Sequence, residues 1–369
     1  MKTNKFFLAF LLATSTAGLL TSCDPADEQQ TNPEISAGLF ILNQGQFKYN
    51  NASLTYYGFS DSTATTDAFT AKNNRGLGDS GQDIMKYGSR IYICVYKSSL
   101  IEVIDAQTGI SQKSIVMLNE SGNPSFPRSL ASYNGKVYVS LYDGHVAQID
   151  TITLSVEKTI AVGSNPEGMA IANNKLYVAN SGGYVANSGG IASVKDSTVS
   201  VINLSTFTEE KKIKVVINPT VVHADSEGDV YVLSMGNYDD IPYTLQRIEA
   251  VTGKVTAIGD VKAYNFTIAG DYAYIYYFGY DVNWAIVDKT YTLYDVKNEK
   301  ISKSDFIASD AVERIPFSID VDPISKDIYI GETDYVNAGK MYCFDQDGKL
   351  KYTFPTGVNP FKTIFITNK

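Results

Sequence analysis

A tyrosine-centred apolar segment recurs six times along the chain, and no other feature limits the possible folds so tightly. It reads SRIYICVY at Ser89–Tyr96, GKVYVSLY at Gly135–Tyr142, NKLYVANS at Asn174–Ser181, GDVYVLSM at Gly228–Met235, DYAYIYYF at Asp271–Phe278 and KDIYIGET at Lys326–Thr333. The central residues Tyr92, Tyr138, Tyr177, Tyr231, Tyr274 and Tyr329 are spaced by 46, 39, 54, 43 and 55 residues. One four-stranded propeller blade needs a period of about 40–50 residues. Each segment is followed by a second apolar run that closes on an acid or amide: Ile104-Asp105, Ile149-Asp150, Ile202-Asn203, Ile248-Glu249, Tyr294-Asp295 and Phe344-Asp345. Turns come next, as at Thr108-Gly109, Thr252-Gly253 and Asp347-Gly348, where glycine supplies the positive φ of a tight hairpin. Alternation of period 2, with no helical periodicity after the first residues, makes the chain all-β.

Six blades are internal, and the two ends supply a seventh. NPFKTIFI at Asn359–Ile366 matches a blade's first strand, as NPEGMAIA does at Asn165–Ala172. GLFILNQ at Gly38–Gln44 reads as a second strand without a first, and ASLTYYGF at Ala52–Phe59 as the third. The fragments make one blade only if the ends meet, which also removes the open edges of the ring. The expectation is therefore a seven-bladed β-propeller over residues 38–369, with N- and C-terminal strands completing one shared blade.

YVANSGG at Tyr177–Gly183 continues into a near-copy, YVANSGG at Tyr184–Gly190. This resembles the YVTN/YncE-like repeat of seven-bladed propellers. The opening ILNQGQFKYNNASLTYYGF is similar to the start of Bacteroidetes surface lipoproteins built on that repeat. Among them are the BtuG proteins, which capture cobalamin at the cell surface and pass it to a TonB-dependent outer-membrane transporter. The resemblance implies ligand capture, with a corrinoid as ligand rather than cofactor. The motifs themselves specify fold, and fold does not fix function.

Ahead of the repeats, Lys2 and Lys5 precede an apolar stretch from Phe6 to Leu20, the layout of a secretory leader over residues 1–22. Leu20-Thr21-Ser22-Cys23 resembles a bacterial lipobox, which implies cleavage and acylation at Cys23. Residues 23–37 then read as the acylated cysteine with a flexible acidic tether. Asp24, Asp27 and Glu28 resemble the signal that sends such lipoproteins to the outer face of the outer membrane. The expected contact with the membrane is the lipid anchor alone. A net charge of −9 without a Lys/Arg cluster speaks against nucleic acid as partner. Cys94 and Cys343 lie in apolar alternating stretches and read as packed thiols.

Chemistry is sparse. His145 follows the Asp143-Gly144 turn and reads as a loop residue, and His223 reads as an interior histidine. No metal-ligand spacing, nucleophile elbow, phosphate loop or EF-hand is present. Asp320/Asp322 and Asp345/Asp347 read as turn acids, with calcium as the alternative. No catalytic residue, metal or cofactor is expected. Aromatics are the informative class, with 26 Tyr, 17 Phe and one Trp. The turns between second and third strands are short at Lys97-Ser98 and Asp143-Gly144. They read as long at 44–51, 181–197, 235–243, 278–289 and 332–339, giving a rim high over five blades and open over two. The candidate ligand residues on that rim are Phe47, Tyr184, Tyr238, Tyr280, Trp284 and Tyr335. The segments leading into first strands add Arg128, Asn165, Asn218, Asn265, Arg314 and Asn359. Aromatic walls with scattered amides and two cations suit a large, mostly neutral ligand. The alternatives are a glycan- or peptide-binding propeller, a metal-dependent propeller hydrolase or lyase, and an interaction scaffold.

Overall fold

The computed structural model describes residues 35–187, 190–283 and 285–368, and Glu34–Lys369 form one compact unit. Its described strands make seven four-stranded antiparallel sheets arranged as the blades of a propeller. The blade shared by both ends of the chain is counted as the first. From the channel outward it runs Pro360–Asn368, Ile35–Asn43, Ser53–Gly58 and Thr63–Thr65. The ends meet in register, with Ile41 opposite Thr363 and Leu42 opposite Lys362. Pairing reaches back to Ile35 opposite Asn368, so the second strand of this blade begins three residues inside the segment read as tether.

The other blades follow chain order outward from first strands at Gly81–Tyr87, Pro127–Tyr133, Pro166–Ala172, Pro219–Ala224, Asn265–Ala269 and Ile315–Val321. Most of their second strands are buried on both faces, completely so in Val230–Ser234 and Ile328–Thr333, while Tyr272–Tyr280 of the sixth blade alternates. That explains why the recurring segments are apolar runs more than alternations: each lies between two neighbouring sheets. Fourth strands such as Ser155–Ala161 and Thr208–Lys214 are almost wholly exposed. The core is divided accordingly. Phe40, Leu42 and Leu54 of the first blade pack on Ile84, Ile91 and Val95 of the second. Leu39, Ile41 and Tyr57 pack on Tyr329, Met341 and Phe354 of the seventh. Burial between blades, at about 25 cal/mol per Å² of apolar surface, is what closes the ring.

Five of the six repeat tyrosines, Tyr92, Tyr138, Tyr177, Tyr231 and Tyr329, are buried. Tyr231 donates to the Val296 carbonyl of the next blade at 3.1 Å. Tyr274 is the exception, half-buried, with Tyr276 on the same strand in the core instead. The acids that close third strands cap the following turns, Asp105 accepting the Gln107 and Thr108 N–H groups and Asp150 those of Ile152 and Thr153. Asp345 does the same for Asp347 and Lys349, so that pair is turn chemistry.

The all-β reading misses one short helix, Ala68–Asn73, between the first two blades. Asp67 caps its N-terminus by accepting from the Thr70 N–H, and Ala68 and Phe69 are buried. Six residues are too few for a periodicity to show. Cys94 and Cys343 are free, buried thiols in separate clusters. Cys23 and the leader lie outside the described residues. No helix among the described residues is long and apolar enough to cross a membrane.

Candidate functional site

One backbone device repeats around the ring and defines the face that carries the site. The residue before each of five first strands has a positive φ: Ser80 (65°), Phe126 (56°), Asn165 (48°), Asn218 (62°) and Asn359 (58°). Each carbonyl accepts an N–H from the start of the turn between second and third strands or, in the fourth blade, from within the extended hairpin. The donors are Tyr96, Tyr142, Ser181, Met235 and Gln44, at 2.8–3.1 Å. The segments leading into the first strands are thereby stitched to those turns on one face. Asparagine tolerates the left-handed conformation best among residues with a side chain, which accounts for Asn165, Asn218 and Asn359. Phe126 has no such excuse and pays about 1–2 kcal/mol for it.

Several of the amides read as ligand partners are engaged within the protein. Asn359 and Asn218 are buried. Asn359 donates to the Gly45 carbonyl at 2.8 Å and accepts from the Thr333 hydroxyl, joining the turns of the first and seventh blades. Asn218 donates to the Tyr238 hydroxyl at 3.1 Å. Asn165 is half-buried at the base of the fourth blade's hairpin. Asn265 lines the channel, its side-chain oxygen accepting from the Phe266 N–H.

Inside the face runs the central channel, a cavity of about 490 Å³ walled by the first strands. Its charged groups are mostly paired. Arg128 donates to Glu167 through Nε at 2.8 Å and a terminal nitrogen at 2.6 Å, and to Gln82 at 2.6 Å. It also lies between Tyr96 and Tyr142, 5.2 and 5.0 Å from their ring centres. Burial, with Glu167 close by, lifts the Tyr142 hydroxyl to about 12. Lys362 donates to Asp83, whose other oxygen accepts the Leu130 N–H at 2.7 Å. Asp320 accepts the Thr363 N–H at 2.8 Å. Burial raises its carboxyl to about 6, against the attraction of Lys362. His223 is edge-on to Phe266 and is pushed down to about 4 by burial and by the Lys362 charge. Among the described residues no group of three or more His, Cys, Asp and Glu side chains stands together as a metal site requires.

Above the channel the rim is lopsided as expected, but its high parts are built differently. In the fourth blade the stretch read as a loop is a hairpin, Lys175–Asn187 paired with Gly190–Asn203. The sixth likewise extends its strands to Tyr272–Tyr280 and Ile286–Asp295, leaving only 281–285 as loop. The seventh has a four-residue turn, 334–337, in place of the long loop expected. The second and third blades are low, with turns at 96–99 and 142–144.

Over blades five to seven the rim carries a continuous aromatic tract. Tyr238 meets Tyr243 (6.2 Å between ring centres), Tyr243 meets Tyr264 (5.7 Å), Tyr264 meets Phe278 (4.2 Å), and Phe278 meets Tyr280 (5.6 Å). Burial raises the Tyr335 hydroxyl, and the Tyr264 and Tyr280 hydroxyls near it add to the shift. Tyr335 also packs edge-on to Phe317 at 5.7 Å, and Phe317 meets Phe361 of the first blade at 5.8 Å. Tyr238, Tyr280 and Tyr335 are exposed. Of the residues read from sequence, the tract unites these three. Phe47 is exposed on the first blade's turn, and Arg314 is engaged by Asp334 at 3.1 Å. Tyr184 lies in the fourth-blade hairpin, its side chain outside what is described, and Trp284 falls outside the described residues. Tyr264, Phe317 and Phe361 sit just before or inside first strands, not in the turns, and their signal is aromatic density next to those strands. Tyr243 ends the turn 235–243, directly before the strand Thr244–Ile248.

Residues 37–356 match the family described as "Domain of unknown function (DUF5074)". The chain belongs to the DUF5074 family. No curated protein matches it. Among solved structures, a Lactobacillus plantarum protein superposes with TM-score 0.60 at 12% identity, covering 90% of this chain and all of that one. Kuenenia stuttgartiensis hydrazine synthase gives 0.58 at 16% identity, over 74% of this chain and 85% of that one. A computationally designed protein, Ika8, gives 0.56 at 12%, over 87% and 89%. At such identities the likeness of this DUF5074 chain to them is one of fold.

Proposed function

We propose that this DUF5074 propeller is a ligand-capture protein that binds a corrinoid, cobalamin or a relative, on its rim face and hands it to a TonB-dependent outer-membrane transporter. The observation that carries the reading is the aromatic tract from Tyr238 through Tyr264 and Tyr280 to Tyr335, beside the mouth of a polar channel. Rings held against one another in this way offer a rigid apolar surface at low entropic cost. The polar mouth beside them supplies amide and charged partners, as a large amphiphilic ligand needs. The ligand's name rests on the resemblance to cobalamin-capturing propellers, and the tract would also stack on a glycan. The reading is one of binding without turnover and without a cofactor. Anchoring follows from Cys23, and Cys23→Ala is expected to release the protein from membranes; a mutant that still takes up a fatty-acid label would count against the anchor.

Titration of the protein from Asp24 onward with cyanocobalamin tests the reading. Saturable heat at a 1:1 ratio supports it. No heat together with an unmoved melting temperature at high ligand discards the corrinoid, and glycans are then the class to titrate.

A further inference from the structure

On the turns of the first two blades, two lysines stand with no ion-pair partner among the described residues. The turn of the first blade presents Phe47, Lys48 and Tyr49, all exposed. The Lys48 ammonium is 5.3 Å from the Phe47 ring centre. Lys97, on the turn of the second blade, sits 5.7 Å from the same ring and 5.1 Å from Phe126. Phe126 in turn meets Tyr96 at 5.3 Å. Two ammonium groups therefore share one aromatic ring on a chain whose net charge is −9.

Their placement is built rather than accidental. Asp79 accepts the Lys48 main-chain N–H on its carboxylate at 3.1 Å and the Lys97 main-chain N–H on its carbonyl at 3.0 Å. The Ser98 hydroxyl accepts the Asp79 N–H at 2.9 Å. One residue thus pins both turns. The first-blade turn is braced again by Asn51, whose side-chain oxygen accepts the Gln46 N–H at 2.7 Å. The Asp79 carboxylate takes both the Lys48 N–H and the Ser80 hydroxyl, the latter at 2.8 Å, on one oxygen, Oδ1. Arg128 nearby is neutralised by Glu167. Asp79 keeps its own negative charge at the base of the two turns, so the two ammonium groups leave one positive charge in excess there, beside ring faces that can cover an apolar body.

We propose that Lys48 and Lys97, with Phe47 and Phe126, form a subsite for a phosphate group carried by a ring-bearing ligand. Two point charges on flexible stems suit an anion of this kind, and the rings take the group attached to it. On the corrinoid reading given above, on which the ligand's identity rests, this subsite holds the phosphodiester of the nucleotide loop while the macrocycle lies toward the aromatic tract.

Two probe pairs separate this subsite from the capture reading. Flavin mononucleotide and riboflavin differ by one phosphate, as cyanocobalamin and cobinamide differ by the nucleotide loop. At low salt the protein is expected to bind flavin mononucleotide about tenfold tighter than riboflavin. The preference should fade above 0.1 M salt, where the screening length is ~10 Å, and vanish in Lys48→Gln/Lys97→Gln. The same double variant should weaken cyanocobalamin about tenfold and leave cobinamide unchanged. Equal binding of the two flavins by the unmodified protein, or of cyanocobalamin by the protein and its variant, overturns the subsite. A flavin preference that the variant loses, with no cyanocobalamin binding at all, keeps the subsite and removes the corrinoid.

Discussion

His223 and Asp320 face one channel and are displaced in opposite senses. Both owe the shift chiefly to burial; Lys362 opposes it at Asp320 and adds to it at His223. The Asp320 carboxyl is raised to about 6, so the folded protein holds a proton that the unfolded chain has lost by then, and stability falls as pH rises from about 4 to about 6. His223, lowered to about 4, does the reverse: the unfolded chain takes up a proton below about 6.5, and stability falls as pH drops from there toward 4. The two contributions oppose each other over nearly the same interval. Urea unfolding of the unmodified protein should be almost level in this window as far as these groups are concerned. Asp320→Asn should make stability climb with pH there and His223→Gln should make it decline; identical pH profiles for all three would refute these assignments. Gly168 makes a simpler case. A methyl group built on it meets the Thr220 carbonyl oxygen of the next blade at 2.6 Å, and Gly168→Ala should cost about 1–3 kcal/mol in urea melts. At this scale the sequence was readable in part. Asn165, Asn218 and Asn359 stood out, but as ligand amides, whereas three Asn-Pro pairs marked the same left-handed turn.

Among the elements, the Tyr-centred second strands were legible because each lies between two sheets and is apolar through its centre, with buried polar residues such as Ser140, Asn180, Ser234 and Glu332 toward its end. Strand extension was not. The fourth-blade segment 181–197 carries glycines and serines that signal a turn, yet Gly182 and Gly183 sit within a continuous hairpin at φ of 95° and 136°. At Gly182 a side chain would run into the Val194 carbonyl at 2.0 Å. Glycine there permits close approach of two strands rather than ending them. The aromatic tract runs over blades five to seven, reaches Phe361 of the first and belongs to no single loop, so a loop-by-loop reading recovered Tyr238, Tyr280 and Tyr335 and left out Tyr264 and Phe317. If these rings act together, Tyr238→Ala/Tyr335→Ala should weaken ligand binding about tenfold or more while thermal unfolding moves little, since both side chains are exposed. A large loss of stability with unchanged affinity would assign the tract to packing alone.

At the scale of the whole molecule, closure depends on the strand Pro360–Asn368 inside Ile35–Asn43. Ile364 and Ile366 pack into the cluster between the first two blades, and Phe365 into that between the seventh and first. Removing residues 359–369 should abolish cooperative unfolding and expose apolar surface to dye. A truncated chain that melts as sharply as the full one would show that the ring does not need this strand. A closed ring also gives the face its asymmetry: high walls over blades four to six, low turns over two and three, with the channel between them. The central claim is that this face, and not the blades' outer edges, receives the ligand. Hydrogen exchange followed by mass spectrometry, with and without saturating cyanocobalamin, tests it most directly. Protection confined to the turns at 44–52, 235–243, 281–285 and 334–337 is the predicted result. Protection of the outer strands Ser155–Ala161 or Thr208–Lys214, with those turns unchanged, would contradict it.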